Sequence, residues 1–341
     1  MTAPVAGGST RRPAPADRPP GARQTGGGGR PPRSLRSAEN RIGLALVSPT
    51  FVLVVILVVL PILWTIMLAF QRIRLIRIRK VGFLGDYTLE NFRSVFTTPG
   101  FWDALRTTVA YSIGGTALSI GLGLVAALAL RRTFKGRTFV RGAMLLPYVA
   151  PVVAVTFAWQ TMLNPQTGVV NYWGTHLLGW DKPLSFLGEK THVFTILGVD
   201  ISAPLALLTV IAFEAWRSFP FAFLFLTARL QAVPATLEEA ARCDGATPTQ
   251  RFRYLILPQL MPTMAVLSAL RFIWTFNSFD EIYLLTGGGA GTEVVSVRVF
   301  NFLTASGDIG AASAQALVLA AILAIVIGFY LRRLRTQEEG D

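Results

Sequence analysis

A chain of 341 residues that is 52% hydrophobic, with a mean hydropathy of +0.50, does not read as an ordinary soluble domain. Its formal charge of +13 lies mostly in tails and connections rather than on one folded face, which excludes a nucleic-acid reading. The single cysteine, Cys243, excludes internal disulfides and any cysteine-built metal cage.

Residues 1–36 are rich in Pro, Gly and Arg and carry almost no apolar bulk. Such a segment buries too little surface to offset its ordering entropy, so a disordered cytoplasmic tail is expected. It is not a signal peptide, because no apolar core with a small-residue cleavage site follows its charges. Four uncharged apolar runs come next, at 42–71, 107–130, 142–163 and 309–331. Each exceeds or approaches the roughly 20 residues that carry a helix across the hydrocarbon core. Two more, near 202–228 and 257–285, are as long but contain charges. The expectation is an all-α polytopic membrane protein with six spans, at about 42–70, 105–131, 140–163, 202–228, 257–285 and 309–331. These make up a transmembrane domain over 37–336, with a short tail at 337–341.

An N-terminus inside the cell places the tail together with the residues up to Arg41, the connections 131–141 and 229–253 and the C-terminal end in the cytoplasm. They hold 20 of the 32 Lys and Arg, as the positive-inside rule requires. The segment with Arg72, Arg74, Arg77, Arg79 and Lys80 breaks the rule. Its alternation with Ile73, Leu75, Ile76 and Ile78 suggests chain lying in the interface, its cations at headgroup level. Both histidines, His176 and His192, fall in the connection 164–200, near Asp181 and Glu189. They lack ligand spacing, so no metal is expected. Tyr172, Trp173 and Trp180 of the same connection suit either contact with an outside partner or a lid over the helices.

The connection between spans four and five is the most informative. Thr236-x-x-Glu239 has the spacing of a capping box, Pro234 stops the preceding span, and Gly245 supplies a left-handed residue that ends a short helix. Thr247 as cap, Pro248 at the first helical position and Gln250 three residues after the cap start a second helix at once, and Pro258 marks the next span. Two short, angled helices facing the cytoplasm are expected.

Glu239-Ala240-Ala241, three residues, Gly245, nine residues and Leu255-Ile256-Leu257-Pro258 together resemble the EAA loop of permease subunits of binding-protein-dependent ABC importers. The family pattern has Ile where Leu255 stands. Leu146-Pro147-Tyr148-Val149-Ala150-Pro151 and Phe279-Asp280-Glu281-Ile282-Tyr283-Leu284-Leu285-Thr286-Gly287-Gly288 are similar to the carbohydrate-importer branch in its maltose-permease-like form. The likeness covers about residues 40–335. It implies an ABC importer type I permease fold, bacterial inner or plasma membrane localisation and docking of the elbow on an ATPase. The coupling residues it implies are Glu239, Ala240, Ala241, Asp244, Gly245, Leu257 and Pro258. The partners it implies are a second permease subunit, two copies of an ABC ATPase subunit, an extracellular or periplasmic solute-binding protein, a sugar and membrane lipid.

The chain agrees by what it lacks. It has no G-x-x-x-x-G-K-[ST] phosphate loop and only four lysines, so ATP and Mg belong on the partner subunits, and this chain carries no cofactor and is no enzyme. The Gly287–Gly291 cluster, with Thr292 and Glu293 but no lysine after it, reads as a mobile turn.

Charges inside spans are costly and mark function by default. Glu214 and Arg217 stand three residues apart, where they can pair; Arg271 lies in the middle of span five, and Asp280 and Glu281 near its outer end. By resemblance, Tyr148, Glu214, Arg217, Ser218, Arg271 and Thr275 occupy the positions that face the sugar. Only Tyr148 matches the family in residue type; Glu214, Arg217 and Arg271 stand where the family has less charged residues. A purely structural network of these charges is the competing account, because buried charges must be paired in either case. A polytopic membrane enzyme would need a nucleophile–base pair or metal set at membrane depth, and neither His lies in a span. An ion-coupled transporter would show paired broken helices in repeated halves, and the sequence shows no such repeat.

Overall fold

The structure is a computed structural model that describes residues 33–76, 87–196 and 199–338. Arg77, Arg79 and Lys80 of the basic segment lie outside the described residues, as does all of the expected tail up to residue 32. Two compact units divide the chain, 1–60 and 61–341. In the first, helix α1 (Arg33–Val54) takes in the last four residues of the expected tail and leads into a π-helical turn, Val55–Val59. The turn has no buried residue.

The second unit starts in α2 (Leu60–Ala69). It continues through α3 (Glu90–Thr97), α4 (Phe101–Ala129), α5 (Arg137–Val149), α6 (Val152–Met162) and α7 (Val169–Leu177). A two-stranded antiparallel hairpin follows, β1 (His192–Ile196) and β2 (Val199–Ala203), with Val193 opposite Ser202. After it come α8 (Leu205–Gln231), α9 (Ala235–Cys243), α10 (Pro248–Arg251), α11 (Leu257–Phe276), α12 (Asp280–Thr286), α13 (Val295–Thr304) and α14 (Ile309–Glu338).

Among the described residues, five helical stretches are long and apolar enough to cross a membrane: Ala45–Ala69, Phe101–Ala129, Leu205–Gln231, Pro248–Phe276 and Ile309–Arg333. The bent pair α5–α6 makes the sixth. Val125, Phe139, Phe157, Ile325 and Phe329 are all more than 60% exposed, a surface that only lipid or another apolar partner can cover.

Two spans depart from the expected boundaries. Span three is two helices bent by 97° rather than one run over 140–163. Pro151 brings no N–H and forces Ala150 into extended backbone, φ −65° and ψ 141°, which ends α5. Span five starts at Pro248 and ends at Phe276, not over 257–285. A π-helical turn at Phe252–Ile256 keeps the helix continuous ahead of Pro258, the residue that was expected to mark a boundary.

The core lies where α4 crosses α8. A Cβ on Gly123 would stand 2.7 Å from Ala222 Cβ and 2.8 Å from the Phe223 backbone N, so only glycine allows this approach. Ile120, Ala127 and Leu130 of α4 and its C-cap share one buried cluster with Phe223, Leu226 and Leu230 of α8 and Leu260 and Leu267 of α11. A second cluster, around Tyr111, Val210, Phe213, Ile282 and Val297, fixes α12 and α13 against α4 and α8.

The connection after α6 is built rather than loose. Asn171 is buried and its amide donates to Leu163 O, Asn164 O and Leu184 O at 3.1–3.3 Å. Tyr172 stacks on His176, while His192 is held by Glu189 at 3.0 Å. Among the described residues, no cluster of metal-ligating side chains forms. The glycine cluster after α12 is closed by Gly289 N–H to Thr286 O at 2.9 Å and by the Thr286 and Thr292 hydroxyls at 2.6 Å. Before α3, Arg72 pairs with Glu90, and the Arg74 backbone bridges to Asp308.

Candidate functional site

The elbow between α8 and α11 forms as two angled helices, with one correction at its start. Thr236 does not cap α9. Pro234 takes the N-cap position with extended backbone (φ −60°, ψ 131°), Thr236 falls inside the first turn, and no side chain caps the helix. Proline wins because its fixed φ already suits the residue that enters a helix. The other end follows expectation: Gly245 has φ +77°, Ala246 N–H donates to Ala241 O at 2.9 Å, and Gly245 N–H donates to Arg242 O at 3.0 Å. That pair of bonds is a Schellman closure. Thr247 then caps α10 in a full capping box with Gln250, Pro248 at the first helical position.

Helix α9 buries none of its residues. Glu239, Ala240, Asp244 and Gly245 are exposed and Ala241 is partly so. Ala241, Asp244 and Gly245 join Gln250, Arg251 and Tyr254 around a concavity of about 480 Å³. Leu257 and Pro258 do not line it; they sit further along, in the first turn of α11. The elbow is thus an exposed knuckle of two short helices, held in shape by its own turn and cap bonds.

The second site lies inside the helices. Tyr148, Glu214, Arg217, Ser218, Arg271 and Thr275 all line one open cavity of about 380 Å³, with Trp274, Ser278 and Glu281. Four elements build it: α5 ending at its break, α8, α11, and α12 with the break that precedes it. Glu214 and Arg271 are 3% and 4% exposed, and they pair directly. Glu214 Oε1 also accepts from Ser218 Oγ and from Thr275 Oγ1, each at 3.1 Å. A buried carboxylate persists only with such partners, and the pair forms the floor of the cavity, with Arg271 Nε buried beside it without a hydrogen-bond partner.

Arg217 does not pair with Glu214, its neighbour one turn away. It reaches across to Glu281, which is 7% exposed and also accepts from Ser278. Glu214 is already claimed by Arg271, and a second carboxylate lies within reach. Glu281, which the sequence marks as a charge near the outer end of span five, and Trp274 and Ser278, which it places near the in-span charges, lie outside the six positions that the resemblance assigns to the solute path. The signal was charge parity: Glu214, Arg217 and Arg271 leave one cation without a partner inside the membrane. Aromatic groups form one wall, with Phe221 5.1 Å from Trp274 and 6.1 Å from Tyr148, and the Arg271 guanidinium 5.8 Å from the Trp274 ring centre.

A bundle of apolar spans with a rigid exposed knuckle at one connection and a charged, aromatic-walled cavity inside defines a membrane transport component. The chain belongs to the family of binding-protein-dependent transport system inner membrane components, which its residues 119–336 match. It is 34% identical over 299 residues to the inner membrane ABC transporter permease protein YcjO of Escherichia coli, covering 87% of this chain and 95% of that one. It is 33% identical over 282 residues to the trehalose/maltose transport system permease protein MalF of Thermococcus litoralis, covering 82% and 89%. Among solved structures, it is similar to a bacterial ABC transporter that imports the acidic polysaccharide alginate: TM-score 0.73, 22% identity, 89% of this chain and 99% of that one. That likeness speaks to the fold alone. The chain is a permease subunit of an ABC importer.

Proposed function

We propose that this permease carries a neutral sugar, driven by ATP that separate subunits hydrolyse. The observation that carries the reading is the cavity: two arginines and two carboxylates line it and cancel in pairs, beside an aromatic wall. A neutral polyhydroxylated solute enters without separating either pair, and it offers apolar ring faces to Tyr148 and Trp274 and hydroxyls to Ser218, Thr275 and Ser278. An anion would have to take an arginine from its carboxylate, which strands a buried charge. The cavity lies in the about 300–1,000 Å³ range of small-molecule sites. The Thermococcus relative, named for trehalose and maltose, supports the sugar class.

The chain forms half of the pathway, and a second permease subunit forms the other half. The N- and C-termini face the cytoplasm, as does the elbow, where Glu239, Ala240, Ala241, Asp244 and Gly245 dock on one of two ABC ATPase subunits that hold ATP and Mg. Leu257 and Pro258 stiffen the root of that elbow. A solute-binding protein delivers the sugar from outside. ATP closes the ATPase pair, the elbow follows, and the cavity alternates between the two sides; the solute's different affinity for the two states couples its binding to the switch.

The test is purification and uptake. A tagged chain should bring down an ATPase and a second permease. Cells or proteoliposomes with the full importer should accumulate radiolabelled trehalose or maltose in preference to a uronate oligosaccharide of equal length. An autonomous chain that transports without the ATPase overturns the importer mechanism, and preferred uptake of the uronate overturns the charge argument.

A further inference from the structure

Helix α9 must hand its motion to the spans, yet none of its nine residues is buried. Only Glu238 and Ala241 are partly shielded. Glu238, its side chain 13% exposed, forms an ion pair with Arg131, which directly follows the last residues of α4. This is a connection outside the sequence neighbourhood: the elbow is covalently joined to α8 and α11, while Arg131 belongs to span two.

The end of α4 is solid. Leu130 is 4% exposed and packs in one cluster with Leu226 and Leu230 at the end of α8 and with Ile256 at the root of α11. Its carbonyl, at the negative end of the helix dipole, accepts from Arg137 Nε at 2.8 Å and Arg141 Nη2 at 3.3 Å. From there α4 runs back along α8 through the close approach at Gly123 and on to Gly115. A Cβ on Gly115 would stand 3.0 Å from Glu214 Cγ and 3.3 Å from Thr275 Cγ2. From Arg131 to Gly115 is about 24 Å at 1.5 Å per residue. Rigid packed helix therefore connects the exposed elbow to the charge pair that floors the cavity.

We infer that the Glu238–Arg131 pair is a strut that carries the movement of α9 into α4, so that span two belongs to the moving unit together with spans four and five. Glu238 and Arg131 are positioning residues. Neither lines the cavity, and Glu239, Ala240 and Asp244 stay exposed for docking. A partly exposed pair adds little to folding stability, so its loss leaves the fold in place and frees the helix. The inference rests on the coupling role proposed for the elbow. It adds a physical path that covalent connection alone does not supply.

The experiment uses the whole importer, with both permeases, the ATPase subunits and the binding protein, in a Cys243→Ser background with Tyr148→Cys as reporter in the cavity, at a half-exposed position outside the charge network. The readout is the change in labelling rate of that thiol by a membrane-impermeant maleimide when the complex is trapped with ATP and vanadate. Arg131→Glu and Glu238→Arg should each reduce the change at least fivefold, while the ATPase still co-purifies. The exchanged pair, Arg131→Glu with Glu238→Arg, should recover it to within twofold. Single variants that respond like the unaltered complex, or an exchanged pair that stays as impaired as the singles, overturn the strut. A second measurement does not depend on charge. Arg131→Cys with Glu238→Cys is bridged by a short bismaleimide, in a complex whose Tyr148→Cys thiol already carries an environment-sensitive fluorophore. A strut that moves as one body keeps the ATP-dependent signal; loss of the signal on bridging overturns it. If no ATPase co-purifies with the unaltered chain, the coupling reading fails first, which separates the two failures.

Discussion

Arg271→Met keeps the volume and apolar stem of the side chain but removes the guanidinium. Glu214, 3% exposed, is then left with the hydroxyls of Ser218 and Thr275 alone. Taking one partner from a buried ion pair costs about 3–5 kcal/mol, because the remaining charge is stranded. Glu214→Gln with Arg271→Met removes both charges, and the amide oxygen still accepts from the two hydroxyls. Replacing a buried pair by neutral groups is often neutral or stabilising, so the double variant should lie within about 1 kcal/mol of the unaltered protein. The single variant should therefore be the worse of the two by at least about 2 kcal/mol, more than tenfold in the folding equilibrium. Unfolding of the purified chain by SDS titration in mixed micelles reads this difference directly. Equal loss in the single and double variants would refute the reasoning, because Glu214 would then not be stranded. Uptake gives the other half. The double variant should insert and assemble but import trehalose or maltose at least tenfold more slowly; import at the unaltered rate would make the pair a structural tie and remove it from the solute path.

Gly245→Val places a β-branched residue at φ +77°, which costs about 1–2 kcal/mol locally and re-aims α9. Uptake should be lost while membrane insertion, read by protease accessibility, is unchanged. Glu239→Lys reverses a charge on the exposed face of α9, and ATPase recovery in pull-downs should fall at least fivefold with span packing intact. Gly123→Leu drives a side chain into Ala222 and the Phe223 backbone, where a single Cβ already meets atoms at 2.7 Å. It should lower stability by about 1–3 kcal/mol, the usual range for overpacking, or prevent accumulation in the membrane, as measured by SDS titration and fluorescence-detected gel filtration.

Much of this architecture was legible in residue order because bilayer and caps impose local rules. Apolar runs near 20 residues gave the spans, and Gly245, Thr247, Pro248 and Gln250 gave the second half of the elbow. What escaped was set by competition between neighbours. Pro234 displaced Thr236 from the cap position, a contest that spacing alone does not decide. Pro258 suggested a boundary, yet the π-helical turn at Phe252–Ile256 keeps the helix continuous and carries it back to Pro248. The six cavity residues were found, and a network joining Glu214 and Arg271 was weighed, but Glu281 as the partner of Arg217 was not. Glu214 and Arg217 are neighbours along one helix, and helix spacing predicts that they can meet. The partners each chose lie 57 and 64 residues away.

That choice depends on where span five stops. A helix unbroken from Leu257 to residue 285 would carry Glu281 ten residues past Arg271, about 15 Å along the axis. Its carboxylate would then lie well away from the level of the Glu214 pair, and Arg217 would face the cavity with its charge uncompensated. The structure instead ends α11 at Phe276, where the Asn277 side chain donates back to Ile273 O at 2.8 Å, and starts α12 at Asp280. Ser278, in the break, donates to Glu281 while its own carbonyl accepts from Ser296 at 2.5 Å, so the turn is fixed from both sides. The break at 277–279 lets α12 pack against α6 and α8 and delivers the second carboxylate to Arg217. Neutrality of the cavity is thus a product of the helix break as much as of the four charged side chains. An insertion that restores continuous helix at 277–279 should leave those four residues in place in the chain and still turn the site cationic.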